Sequence, residues 1–301
     1  MDYRAQLKQL VREHDFFIGF DSDGCVFDTM ALKHKECFCP AVIKNFGLQS
    51  VSNAAREVWE FVNLYSTTRG YNRFLALRIF RDLLRRHPDV VANGFAVPPL
   101  AGLDRWLRKE TRLGNPALRI EVEKTGDPDL ETALTWSLEV NERVADLVSG
   151  VAPFPGVLEV LRRGSQSADM IVVSQTPLEA LEREWEENRM TSYVKRIAGQ
   201  EHGTKTEHIH LATEGRGYAA DHILKVGDAP GDLRAAVDND ALFYPIIPGR
   251  ERELWKRLEA EGLDHFFNGD FSGAYQRMLI DEFHAALPEH PPWESTRTRE
   301  R

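Results

Sequence analysis

Two carboxylates one residue apart, Asp21 and Asp23, close an apolar run, Phe16-Phe17-Ile18-Gly19-Phe20, and Gly24 follows at once. An unbroken run of apolar and small residues predicts a strand buried on both faces, as in a parallel sheet. Acidic groups at the end of such a strand are costly to bury unless a cation or hydrogen-bond donors compensate them. The pair therefore points to cation-assisted chemistry. Taken alone, Asp-x-Asp-Gly is also compatible with a turn or a calcium loop. Two further apolar runs end in polar groups: residues 170–173 lead into Ser174-Gln175-Thr176, and residues 223–227 lead into Asp228-Ala229-Pro230-Gly231-Asp232. Between them stands Lys205, in Gly203-Thr204-Lys205-Thr206.

The elements that must position these groups follow from the pattern around them. Helix-compatible segments at 177–188, 206–214 and 231–237 each come directly after one of the motifs. Strand, loop and helix in alternation predict βα units and a mostly parallel sheet. Open sheets of this kind place ligands at the carboxyl ends of their strands, so carboxylates, a hydroxyl and an ammonium converge on one crevice. Residues 241–247 read as a further strand, and 251–261 and 272–286 as helices.

This ordered set resembles the haloacid dehalogenase-like hydrolase superfamily. Its four motifs stand here as Asp21/Asp23, Ser174, Lys205, and Gly227-Asp228 with Asp232. The resemblance covers residues 12–28 and 151–250. It implies an α/β fold with a Rossmann-like three-layer core and an inserted, mainly α-helical cap. The expected division is a catalytic core at 1–28 and 151–286, a cap at 29–150, and a disordered tail at 287–301, which is rich in Pro, Glu, Arg and Thr. Only position and helical character relate the insert to the family's caps.

The residue types suit the chemistry that the resemblance implies, a Mg²⁺-dependent phosphatase working through an aspartyl-phosphate. A carboxylate is ionised at neutral pH, so Asp21 can attack phosphorus without first losing a proton. Nucleophile and phosphate are both anionic, and Mg²⁺ held by oxygen ligands offsets their repulsion. The expected metal positions are Asp21, Asp23 through its main-chain carbonyl, Asp228, and Asp232 through water or as an outer anchor. Lys205 neutralises charge on Asp21 and the transferring group, and Ser174, with Gln175 beside it, binds the phosphoryl oxygens. Asp23 protonates the leaving oxygen and later deprotonates the attacking water. An acid at that position points to phosphate esters rather than to dehalogenation or phosphonate cleavage. A phosphomutase, or a silent relative that binds a phospho-ligand or a partner, is the alternative. Lys195 or Lys225 could stand in for Lys205, although Lys225 sits inside a predicted buried strand and reads as an edge or packing exception. Asp232 could equally serve the dipole of the helix it opens.

Helical patterns at 54–64, 72–86, 100–109 and 131–147 make up the insert, punctuated by Pro88, Pro98-Pro99, Gly114-Asn115-Pro116 and Gly126-Asp127-Pro128. Residues 110–130 resist assignment. Six arginines and one acid fall between Arg69 and Arg86. Helical spacing of Phe74, Leu77, Phe80 and Leu84 turns most of them to solvent. Arg69 and Arg73 flank Gly70-Tyr71-Asn72 in a polar loop and are candidates to bind the part of an anionic substrate that is not transferred.

Composition bounds the function class. The 301 residues have room for a core and one further module. A net charge of −9 with no long basic tract argues against nucleic acid; the partner that the resemblance implies is a small phosphorylated metabolite. No apolar stretch is long enough to span a bilayer and no secretory leader is evident. Cys25, Cys37 and Cys39 are too few and too close to form a disulfide framework, which fits a reducing, cytoplasmic setting. Oligomeric state is not legible.

Overall fold

A computed structural model of the protein describes residues 2–295. It divides into two compact units: residues 1–30 with 150–287, and residues 31–149 with 288–301.

The first unit is built on a five-stranded, wholly parallel sheet ordered β3-β2-β1-β4-β5. Its strands are β1 (Phe16–Phe20), β2 (Ala168–Val173), β3 (Arg196–Ala198), β4 (Ile223–Gly227) and β5 (Leu242–Pro245). Both sheet faces are covered. Ile18, Phe20, Met170, Val172, Leu224 and Val226 pack into one apolar cluster, and Phe17, Ile171 and Val173 into a second on the other side. That is why the strands read as continuous apolar runs rather than alternating ones. β1 pairs with β2 on one side and β4 on the other, Ile18 lying level with Met170 and Leu224. Strand order therefore reverses at β1, and the crevice beyond its carboxyl end is the switch point where such sheets bind ligands. The loop leaving β1 is pinned by two buried indoles: Trp185 donates to Ser22 Oγ (3.0 Å) and Trp255 to the Cys25 carbonyl (2.9 Å).

The second unit is helical, with main helices at Ser52–Leu64, Arg73–Leu84, Ala101–Lys109, Asn115–Thr125 and Pro128–Leu147. Aromatic side chains fill its core: the Trp59 ring lies 5.9 Å from Trp136 and 5.2 Å from Phe80, and Phe74 lies 5.2 Å from Trp106. Such edge-to-face pairs add stability beyond the area they bury.

Several expectations are revised. The unassigned stretch 110–130 contains the helix Asn115–Thr125, which opens with a proline at its first turn and stops at Gly126 in the left-handed conformation (φ 59°). β3 went unread because three residues are too few to show a period. The stretch 287–301, expected to be disordered, instead forms a short helix at Pro292–Ser295 within the second unit, with Trp293 buried against Phe61 and His87; residues 296–301 lie outside the described residues. Lys225 is not at an edge, because β4 lies between β1 and β5. Arg81 is not on the solvent face either; its guanidinium is buried and paired with Asp82 and Asp104.

Candidate active site

Each motif reaches the crevice on its own element. Asp21 follows β1 directly and is tied to the sheet by its N–H, which donates to the Val226 carbonyl (2.9 Å). Lys205 opens the helix Lys205–Thr213, whose start is set by local sequence: Thr204 Oγ1 accepts the Glu207 N–H (3.2 Å) and Glu207 Oε2 accepts the Thr204 N–H (2.8 Å). This reciprocal cap fixes where the helix begins and therefore where Lys205 stands. Its Nζ donates to Asp21 Oδ2 (2.6 Å) and Asp232 Oδ1 (2.8 Å).

Asp228 and Asp232 come from the end of β4 and the first turn of the helix Pro230–Val237. Asp232 lies so close over Gly227 that a Cβ there would fall 2.3 Å from its Cγ, so only glycine is tolerated. Asp23 Oδ1 accepts the Thr29 hydroxyl (2.5 Å) and its Oδ2 the Thr176 hydroxyl (2.6 Å). Ser174, buried after β2, accepts the Thr176 N–H at Oγ (3.2 Å), which leaves its own O–H to donate. The exposed Gln175 spends an amide N–H on the Gly203 carbonyl (2.8 Å), tying the Ser174 loop to the Lys205 loop.

Comparison with known proteins agrees with this geometry. The sequence model of the haloacid dehalogenase-like hydrolases matches residues 111–243, a span holding Ser174, Lys205, Asp228 and Asp232. A Bacteroides fragilis protein described as a haloacid dehalogenase-like hydrolase superposes with a TM-score of 0.50 at 13% identity, over 79% of this chain and 92% of that one. Over the matched span the chain is similar to the haloacid dehalogenase-like hydrolases, and it shares their fold. Other similar structures are described as phosphoglycolate phosphatases. One, from Haemophilus somnus, has 14% identity and a TM-score of 0.49, covering 78% of this chain and 86% of that one. Another, from Lactobacillus delbrueckii, has 18% identity and a TM-score of 0.45, covering 77% and 86%. No curated protein matches the sequence.

The electrostatics of this centre are those of a buried carboxylate cluster met by lysines. One oxygen from each of Asp21, Asp228 and Asp232 lies within 4.8 Å of the others, and all three residues are buried. Burial and the neighbouring Asp232 push the Asp21 carboxyl well above the usual carboxylate range, against the pull of Lys205. Burial also acts to raise Asp232, but Lys205 and Lys225 outweigh it and hold that carboxyl low. Burial disfavours the Lys205 ammonium, yet Asp21 and Asp232 keep it firmly protonated. Three buried carboxylates gathered this closely, one of them raised despite its ammonium neighbour, are hard oxygen donors that fit a divalent cation of the Mg²⁺ kind.

Sequence reasoning offered Lys225 only as a stand-in for Lys205 and gave Thr29 and Thr176 no role. Lys225 is fully buried, and its Nζ reaches Asp232 Oδ1 at 2.9 Å. The available signal was a lysine inside an otherwise apolar strand, a charge that must find a buried partner. The two arginines belong to the second unit. Arg69, with 3% of its surface exposed, donates from Nη1 to the Leu64 carbonyl of its own loop (3.0 Å). Arg73 donates to the Ser137 carbonyl, Ser137 Oγ and Asn141 Oδ1 (3.2, 3.0 and 2.8 Å) and lies over the Phe38 ring. These partners are neutral, and burial lowers the guanidinium to about 10.

Proposed function

We propose that this protein is a Mg²⁺-dependent phosphatase that cleaves a small phosphorylated metabolite through an aspartyl-phosphate. The observation that carries the reading is the buried cluster in which one ammonium, Lys205, bridges Asp21 and Asp232 beside Asp228. Asp21, Asp228 and the main-chain carbonyl of Asp23 would hold Mg²⁺. When bound, the ion supplies the positive charge that lets an anionic nucleophile approach an anionic phosphate.

Asp21 attacks phosphorus as a carboxylate, and the bond from phosphorus to the ester oxygen breaks. Asp23 gives its proton to that oxygen, so the alcohol leaves neutral. Water then attacks the same phosphorus, Asp23 takes back a proton, and the bond to Asp21 breaks to return the carboxylate and release phosphate. Lys205 lies against the attacking carboxylate and stabilises charge on the transferring group, while the Ser174 hydroxyl donates to a phosphoryl oxygen. The threonines on both oxygens of Asp23 set the direction in which its carboxyl faces. In the second unit, Arg73 is the candidate to read an anionic group on the part of the substrate that is not transferred.

The test is phosphate release from an aryl phosphate and a panel of phosphorylated metabolites, by wild type and Asp21→Asn, with and without Mg²⁺. Release that requires Mg²⁺ and falls to background in the variant is expected. Undiminished release by Asp21→Asn would overturn the covalent route. Isomerisation of a sugar phosphate without release would indicate a mutase, and neither activity a silent binder.

A further inference from the structure

Lys225 has no part in the mechanism above, yet it carries a charge in one of the least hydrated places in the first unit. Its side chain is wholly buried in β4, flanked by β1 and β5. It lies in register with Gly19 of β1, where a Cβ would come within 3.8 Å of the lysine stem. A buried ammonium persists only if it is matched by charge and hydrogen bonds. Two acceptors match it: the Val226 carbonyl (2.8 Å) and Asp232 Oδ1 (2.9 Å).

That same Asp232 oxygen accepts Lys205 at 2.8 Å, while Asp232 Oδ2 accepts the Ala229 N–H at 3.2 Å. Both oxygens of the carboxylate are thus engaged by groups of the chain, and the ammonium converging from β4 opposes any swing away from Lys205. Lys205 in turn is aimed at Asp21.

We propose that Lys225 is a positioning residue of the catalytic centre: it locks Asp232 as the anchor of Lys205 and keeps that carboxylate from serving as a direct ligand of the metal. The metal carboxylates are then Asp21 and Asp228. This assignment rests on the phosphatase reading for its kinetic consequence but not for its electrostatic one.

The test uses four full-length proteins: wild type, Lys225→Met, Asp232→Asn and the double variant. Lys225→Met keeps the length of the side chain and removes its charge. It should lower kcat on an aryl phosphate by about 10–100-fold, the usual cost of losing a group that orients a metal-site residue, with little change in KM. Mg²⁺ binding followed by calorimetry should tighten, because the released carboxylate adds negative charge to the site. In the Asp232→Asn background the same lysine change should cost nothing further, since the group it holds is gone. A purely structural lysine would instead lower stability and leave kcat and Mg²⁺ affinity of the folded protein unchanged. That result overturns the proposal, as does an equal loss of kcat in both backgrounds. Should Lys225→Met not fold, adding Asp232→Asn must restore folding, and failure to do so also overturns it. If wild type hydrolyses no phosphate ester, the phosphatase reading fails. The Mg²⁺ affinities and thermal coupling of the four proteins still decide whether Lys225 holds Asp232.

Discussion

At the residue scale, the proposed role of Arg73 rests on its surroundings. Its guanidinium is half-buried among neutral acceptors and, among the described residues, has no carboxylate beside it. A second anionic group on the substrate would complete it. Arg73→Ala should therefore raise KM for the natural substrate by about tenfold or more, in line with a lost charged hydrogen bond, and leave KM for a small aryl phosphate unchanged. Equal KM changes on both substrates would remove Arg73 from substrate recognition. Arg69, only four residues away, donates instead to the Leu64 carbonyl of its own loop. Sequence spacing could not separate the two, because the direction of a loop side chain is set by which backbone carbonyl lies within reach.

The element scale is where buried acids tie separate segments together. Asp169 in β2 is almost wholly buried and accepts the Glu13 and His14 N–H groups (2.9 and 3.2 Å), the Tyr218 hydroxyl (2.5 Å) and Lys195 Nζ (2.7 Å). Burial alone would raise this carboxyl, but these donors overcome it and bring it down to about 2. Its folded value lies below the ordinary unfolded one near 4, so the stabilisation is complete above about pH 4 and is lost as pH falls toward about 2. The amount is about 2–3 kcal/mol at neutral pH. Asp169→Asn should destabilise the protein by about that much in urea unfolding at neutral pH and narrow its gap to wild type at acid pH. Parallel curves for the two proteins across that range would show that the carboxylate does not stabilise in its ionised form. The same network accounts for Lys195, one of the two lysines that sequence left as a substitute for Lys205: it is spent on Asp169 and on Glu13.

At the scale of the whole molecule, each unit is assembled from two separate stretches of chain. The first unit combines the N-terminal segment up to residue 30 with 150–287, and the second, residues 31–149, is completed by residues 288–295. Trp293 lies 5.5 Å from the Phe61 ring and 5.1 Å from His87, and Glu294 pairs with Arg86 (3.1 Å). Truncation after Leu287 should therefore cost the second unit about 2–3 kcal/mol, the value of burying a large apolar side chain, and lower its unfolding temperature in calorimetry by several degrees. Trp293→Ala should reproduce most of that shift. An unchanged unfolding profile would mean that the segment contributes nothing to stability. Among the described residues, no helix is long and apolar enough to cross a membrane.

The amino-acid sequence by itself determined four of the five strands. Continuous apolar runs bounded by turn residues read as strands covered on both faces, and the polar residues that end them fall at the carboxyl edge of the sheet. Asp21, Asp23, Ser174 and Asp228 were placed at strand ends for that reason, whereas the cap that starts the Lys205 helix went unread. Tertiary structure alone decided which charges meet. Lys225 and Asp232 are seven residues apart on different elements, Lys205 approaches from a third, and only their convergence on one carboxylate oxygen shows that the cluster carries two lysines. It also decided the course of the last residues, whose polar composition hides one indole that finds an apolar site more than 200 residues away in sequence. Local patterns record what each segment does with its own backbone; pairing across the chain depends on distances that no local pattern contains.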